Sequence, residues 1–186
     1  YFELSPMRLH VQPIVGVGKS AAELDALVQP LLDELKARGI PYDSRTKEFD
    51  TFFDLYLDLF EDEPAGQSSL TGGWAFSRQD VADNNDGIIE AFKTSLSPRD
   101  DLAGAGFVIG HLWKTADMGT GATAMNPLFR NVSSKVITAL AVPPDATWTQ
   151  KQDLQHVLTN IQDAALREAG PGGCAYVNEA DPYQAD

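Results

Sequence analysis

Tyr176, Asn178 and Glu179 set a phenol, a carboxamide and a carboxylate within one short stretch of chain, and these are groups that accept, donate and orient protons. They stand in Gly172-Gly173-Cys174-Ala175-Tyr176-Val177-Asn178-Glu179-Ala180-Asp181-Pro182, the most specific segment of the sequence. Its composition reads as a strand over Cys174 to Asn178, entered through glycines and left through a proline. In a regular strand Tyr176 and Asn178 share one face while Glu179 points to the other. Pro182 drives Asp181 towards an extended shape, and a bend near Glu179 would let it serve the same pocket. Tyr176 and Glu179 are therefore the alternative acid/base residues, with Asn178 as the orienting amide; a packed strand tyrosine is the plainer reading of Tyr176.

Other residues that could do chemistry are scattered. His10, His111 and His156 form no pair at metal-ligand spacing, and no Gly-x-Ser-x-Gly turn presents a serine nucleophile. In Phe107-Val108-Ile109-Gly110-His111-Leu112-Trp113, alternation puts His111 and Trp113 on one face with Phe107 and Ile109, a row suited to a flat ligand. A core histidine with one hydrogen bond is the other reading of His111. Gly16-Val17-Gly18-Lys19-Ser20 lies between strand and helix patterns, as the end of a phosphate-binding loop would. The glycine that such a loop needs is replaced by Pro13, which removes an amide from the cradle, so the stretch reads as a capped helix start. Asp50, Asp54 and Asp58 recur every fourth residue, the pattern of a solvated helix face, and no metal site is read from them. Cys174 is the single cysteine, which excludes an internal disulfide and a cysteine-based zinc site. Asn131-Val132-Ser133 is an acceptor pattern for N-glycosylation and equally a polar turn.

The elements that must hold these residues are legible from periodicity. Met7, Leu9 and Val11 alternate with polar residues, which predicts a strand running to about Val17. Ser20 and Glu23 form a capping box ahead of an apolar stripe from Leu24 to Leu35 that ends at Gly39, with Pro30 expected to kink the helix. Phe49, Phe52, Phe53, Tyr56 and Phe60 predict a second helix with an aromatic core face. A short strand around Trp74-Ala75-Phe76 follows, then a helix over Ser77 to Ser97 interrupted near Asn84, strands over Gly106 to Lys114 and Ser134 to Val142, and a helix built on Leu154, Val157, Leu158 and Ile161. This order suits an α+β fold, an antiparallel sheet of about five strands with helices on one face. The formal charge of −13, from 14 Lys and Arg against 27 Asp and Glu, sets aside nucleic acid and anionic membrane surfaces as partners.

The Tyr-x-Asn-Glu-Ala-Asp run from Tyr176 to Asp181 resembles the opening of the berberine-bridge segment of flavoprotein oxidases of the vanillyl-alcohol-oxidase type, in its fungal variant. Gly73-Trp74-Ala75-Phe76-Ser77-Arg78 is similar to that family's strand and arginine before a cap helix, and Asn126-Pro127-Leu128-Phe129-Arg130-Asn131 resembles its Asn-Pro-x-x-Arg element. Many members carry a tyrosine where this chain has Glu179. The resemblance implies a substrate-binding cap domain over residues 1–172 and the start of the C-terminal segment over 173–186, with FAD held mainly by a domain outside this chain. It implies oxidation of an alcohol or amine by hydride transfer to flavin, with oxygen as acceptor, and Arg78 and Asn178 as substrate or cofactor contacts, to which the row read from alternation adds His111 and Trp113. The expected partner is a FAD-binding segment of the same protein or a cleaved companion chain; this chain by itself is expected to be inactive and to be a piece of something longer. It also implies secretion, with Asn131 glycosylated. The competing reading is a non-catalytic α+β module that binds a small molecule or a protein on its open sheet face.

Overall fold

The computed structural model describes residues 2–59, 68–110, 124 and 126–184. They form two compact units, Tyr1–Gln12 with Gly66–Asp186, and Pro13–Ala65.

The first unit is built on a five-stranded antiparallel sheet in the order β2-β1-β4-β5-β3. β1 (Phe2–Ser5) and β2 (Arg8–Val11) are a hairpin, with Met7 93% exposed in its turn. The strand expected from Met7 to Val17 is thus shorter and paired to an earlier one. It stops at Val11, ahead of Pro13, which has no amide to give a ladder. β3 (Ser69–Ser77) and β5 (Val132–Ala141) share the longest register, from Ser69 opposite Ala141 to Ser77 opposite Val132; β4 (Ala105–Gly110) pairs along the other edge of β5. The α+β class and the antiparallel sheet are as the sequence predicts.

Alternation along β3 and β5 sends Trp74, Phe76, Val136 and Leu140 to one face, where the helices pack. α3 (Arg78–Asp83) and α4 (Asn85–Leu96) are the two pieces of the helix read as interrupted near Asn84. Trp74, Phe76 and Val136 close a core with Ile88 and Ala91 of α4 and with Leu166 and Ala169 of α6 (Asp163–Ala169). Each large apolar side chain buried there contributes about 1.5 to 3 kcal/mol. Between α5 (Trp148–Val157) and α6 the helix widens into a π turn, Leu158–Gln162. The extra residue rotates the inward face: Ile161 is half-buried, while Gln162 and Asp163 are wholly buried.

After α6 the chain crosses the free edge of β3. Gly173 touches the strand so closely that a Cβ there would lie 2.1 Å from the Ala75 carbonyl oxygen. Ala75 and Cys174 then exchange both main-chain hydrogen bonds, at 2.8 and 3.1 Å. The strand expected over Cys174 to Asn178 is this single bridge. Beyond it the chain turns, with the Glu179 amide donating to the Tyr176 carbonyl at 3.1 Å.

The second unit carries α1 (Ala21–Ala37) and α2 (Phe52–Leu59). The Ser20–Glu23 capping box is present, and the helix runs on through Pro30. The Asp50, Asp54 and Asp58 row is accounted for at two positions by local pairing: Asp58 meets Arg45 and Lys47, and Asp54 accepts from Thr51. Neither helix buries a residue; Leu27 and Phe53 are 62% and 64% exposed. Of the aromatic stripe read as core, Phe52, Phe53 and Tyr56 are exposed and Phe49 is half-buried, while Phe60 lies outside the described residues.

Candidate functional site

The turn over Tyr176 to Glu179 folds onto the sheet face opposite the helices, where Lys135 projects from the middle of β5. Lys135 is 8% exposed, and its Nζ lies 2.7 Å from Glu179 Oε2 and 3.8 Å from the centroid of the Tyr176 ring. Asn178 Nδ2 donates to the Tyr176 hydroxyl at 2.6 Å. The Phe129 ring packs against Tyr176 from the other side, centroids 5.6 Å apart. One ammonium thus gathers a carboxylate and a phenol, with the amide closing the group. Lys135, Tyr176 and Glu179 line a narrow crevice with Gly72, Gly73, Trp74 and Val136.

Of the two readings, a regular strand with Glu179 on the far face and a bend near Glu179, the bend is what is found. The turn replaces alternation: Tyr176 and Glu179 meet on Lys135, and Asn178 reaches the Tyr176 hydroxyl. Its cause is local. The Asp181 Oδ1 accepts from the Tyr183 amide at 2.9 Å and from Gln155 Nε2 at 2.7 Å, so the segment is pinned to α5 beyond the turn. Before the turn, Trp74 Nε1 donates to the Gly170 carbonyl at 2.7 Å and the Gly172 amide donates to Asp80 Oδ1 at 3.0 Å. A segment held at both ends over so few residues has to fold back on itself.

Sequence reasoning missed Lys135. The signal was there: it is a cation inside an apolar strand, on the face that alternation directs away from Val136. Its partner lies 44 positions along the chain, and no local pattern names it. Asp163 was missed too. It is wholly buried on the helix face, where its Oδ1 accepts from Thr138 Oγ1 at 2.7 Å and its Oδ2 from the Gly73 amide at 3.2 Å. Burial pushes its carboxyl up to about 6.

The remaining expected site residues lie elsewhere. Arg78 is exposed at the first position of α3 and makes none of the contacts above. His111 and Trp113 fall outside the described residues. Asn131 is exposed at the end of the 3-10 turn Pro127–Asn131, which Asn126 caps by accepting from the Leu128 amide at 3.0 Å. Cys174 is buried against Ala75 and Val132, and burial pushes its thiol up, so it packs.

No family model matches the chain. Over 93% of its length it is 28% identical to the FAD-linked oxidoreductase sor8 of Hypocrea jecorina (strain QM6a), and over 94% it is 25% identical to the FAD-linked oxidoreductase patO of Aspergillus clavatus. Among solved structures, the VAO-type flavoprotein MtVAO713 from Myceliophthora thermophila C1 superposes with a TM-score of 0.73 at 20% identity, over 94% of this chain and 33% of that one. The chain carries a VAO-type fold. A second VAO-type flavoprotein of the same fungus, MtVAO615, matches with a TM-score of 0.63 at 22% identity over 88% of this chain. The homologues are fungal FAD-linked oxidoreductases, and the chain spans 29% and 30% of the length of the two named above. The VAO-type fold is what the Tyr176 to Asp181 resemblance implies.

Proposed function

We propose that this chain is the substrate-binding portion of an FAD-dependent oxidoreductase that oxidises an alcohol or amine by hydride transfer to flavin, with oxygen as the final acceptor. The observation that carries the reading is the meeting of Tyr176 and Glu179 on Lys135, with Asn178 held to the Tyr176 hydroxyl, on the sheet face opposite the helices. The homologues, which are FAD-linked oxidoreductases, and the VAO-type fold support it.

The residues suit the ring of a flavin better than its pyrophosphate. The helix starts at α1 and α3 spend main-chain amides on their own side chains, Ser20 with Glu23 and Ser77 with Asp80, and α5 does the same through Thr147 and Gln150. None of these starts is a free anion cradle. The turn, by contrast, presents an exposed phenol at Tyr176 and an exposed amide at Asn178, polar groups that a planar ring edge and a small substrate can use. A bound flavin would supply the hydride acceptor and its reoxidation by oxygen.

What remains for this chain is proton handling. Glu179 is engaged as the counter-ion of Lys135, which leaves Tyr176 Oη as the better placed group to take the substrate's proton as hydride departs. Asn178 donates to that oxygen, and Lys135 faces the ring; both interactions strengthen as negative charge develops on the phenol. In the full-length flavoprotein, Tyr176→Phe should slow flavin reduction by about 100-fold while FAD stays bound, the scale expected for losing a general base. Unchanged reduction in that variant with a large loss in Glu179→Gln would transfer the role to Glu179. A full-length protein without a flavin absorption band would favour the non-catalytic binding module.

The reading extends to a secreted protein with a glycan on Asn131, whose exposure at a turn suits an acceptor site. Glycosidase treatment of the native protein should lower its mass; an unchanged mass removes that part.

A further inference from the structure

We propose that Asp163 is the positioning residue of the crevice: from the helix side of the sheet, its carboxyl group sets the Gly72–Gly73 main chain that forms one wall of the site. This rests on the reading of the crevice as the face turned to flavin and substrate.

Gly72 and Gly73 line the crevice, and Asp163 stands directly behind them. A Cβ on Gly72 would lie 2.0 Å from Asp163 Oδ2, so the absence of a side chain there is the space the carboxyl group occupies. Gly73 has φ +143°, and a Cβ on it would meet the Val136 carbonyl oxygen at 2.1 Å. Its amide points to the free edge of β3, away from β5, and Asp163 Oδ2 is the acceptor that takes it. Thr138, itself wholly buried, gives its hydroxyl to Asp163 Oδ1. The π turn is what brings Asp163 inward to this place.

A buried carboxyl group is a costly brace, and an apolar side chain of similar volume would stabilise the fold more simply. Its environment makes it sensitive to pH. Thr138 and the Gly73 amide face it from β5 and β3, Asp181 from the C-terminal segment, and Arg167 from its own helix. Burial raises its pKa to about 6, Asp181 adds to the rise, and Thr138, Gly73 and Arg167 oppose it. Burial thus favours the neutral carboxyl group more than the Thr138 and Gly73 donors favour the carboxylate. Its ionisation above about pH 6 favours local opening, in which the carboxylate reaches water.

The test uses the full-length flavoprotein and needs no substrate. Amide hydrogen exchange of peptides covering Gly72 to Phe76 and Cys174 to Asp181 is compared between wild type and Asp163→Asn at pH 5 and pH 8. Taking the ratio to the variant removes the intrinsic pH dependence of exchange. Opening in the wild type should rise about tenfold relative to the variant between the two pH values, the change expected when the carboxyl group moves from its ordinary range to about 6. The visible band of the bound flavin should shift with a midpoint near pH 6 in the wild type and stay fixed in the variant. A ratio that does not change with pH overturns the proposal. A changed ratio with identical flavin titrations overturns the positioning role and leaves Asp163 as a structural acid. A full-length protein with no flavin band defeats the functional reading instead, and the exchange ratio still decides whether Asp163 holds the strand.

Discussion

The two compact units of this chain are held by different physics. The sheet unit buries Phe76, Leu140, Leu158 and Leu166 completely and tolerates Asp163 and Lys135 within or beside that core. The unit from Pro13 to Ala65 has two amphipathic helices whose described residues are at most half-buried, and is tied by its caps and by polar contacts such as that of Glu48 with the Ala21 amide. An apolar stripe predicts that a helix has a face to bury; it does not say what buries it. Only the sheet unit therefore has the rigidity to hold a phenol, an amide and an ammonium at fixed distances, and the candidate site lies there.

The largest effect that would sharpen this contrast is expected at Gly72. Gly72→Ala drives a methyl group into the Asp163 carboxyl group, and the sheet unit should lose about 3 kcal/mol, the upper part of the range for overpacking. Asp163→Ala in the same chain should recover part of that loss. Denaturant unfolding of both variants checks the pair; purely additive losses would show that the two residues do not compete for one space.

The next effect is the pH dependence of stability. A carboxyl group raised to about 6 in the folded state contributes stability that is full below its unfolded pKa, near 3.8, and is lost as pH rises through about 6. Relative to Asp163→Asn, the wild type should therefore lose about 3 kcal/mol between pH 3 and pH 8, because a tenfold change in acidity constant corresponds to about 1.36 kcal/mol. Thermal or denaturant melts across that range measure it. Parallel stability curves would mean that Asp163 is solvated in the native state.

Much of the sheet unit was legible because its signals are local. The break at Asn84, β5 and the apolar face of α5 all follow from period and capping. The candidate group was legible in composition and not in shape. Tyr176, Asn178 and Glu179 can be named from the sequence, yet their meeting depends on Lys135, Asp181 and Gln155, each bound through contacts far along the chain or against another element. Asp163 was hidden for a related reason. The π turn inserts one residue into the helical phase, and a reading at constant period leaves Asp163 off the inward face that Leu154, Val157 and Leu158 define.

The smallest effect belongs to the other unit and tests the opposite half of the contrast. At the start of α1 the Ser20 hydroxyl accepts from the Glu23 amide at 3.3 Å, while Glu23 Oε2 accepts from the Ser20 amide at 2.8 Å. Ser20→Ala removes one acceptor from a helix end that has no buried contact to compensate for it, at a cost of about 1 kcal/mol. Because α1 buries no residue, this loss should appear as faster amide exchange along α1, with β3 and β5 unchanged. Hydrogen exchange resolved by peptide separates the two regions. Weakened protection in β3 and β5 as well would mean that the units unfold together, and the division between a core-held region and a cap-held region would fail.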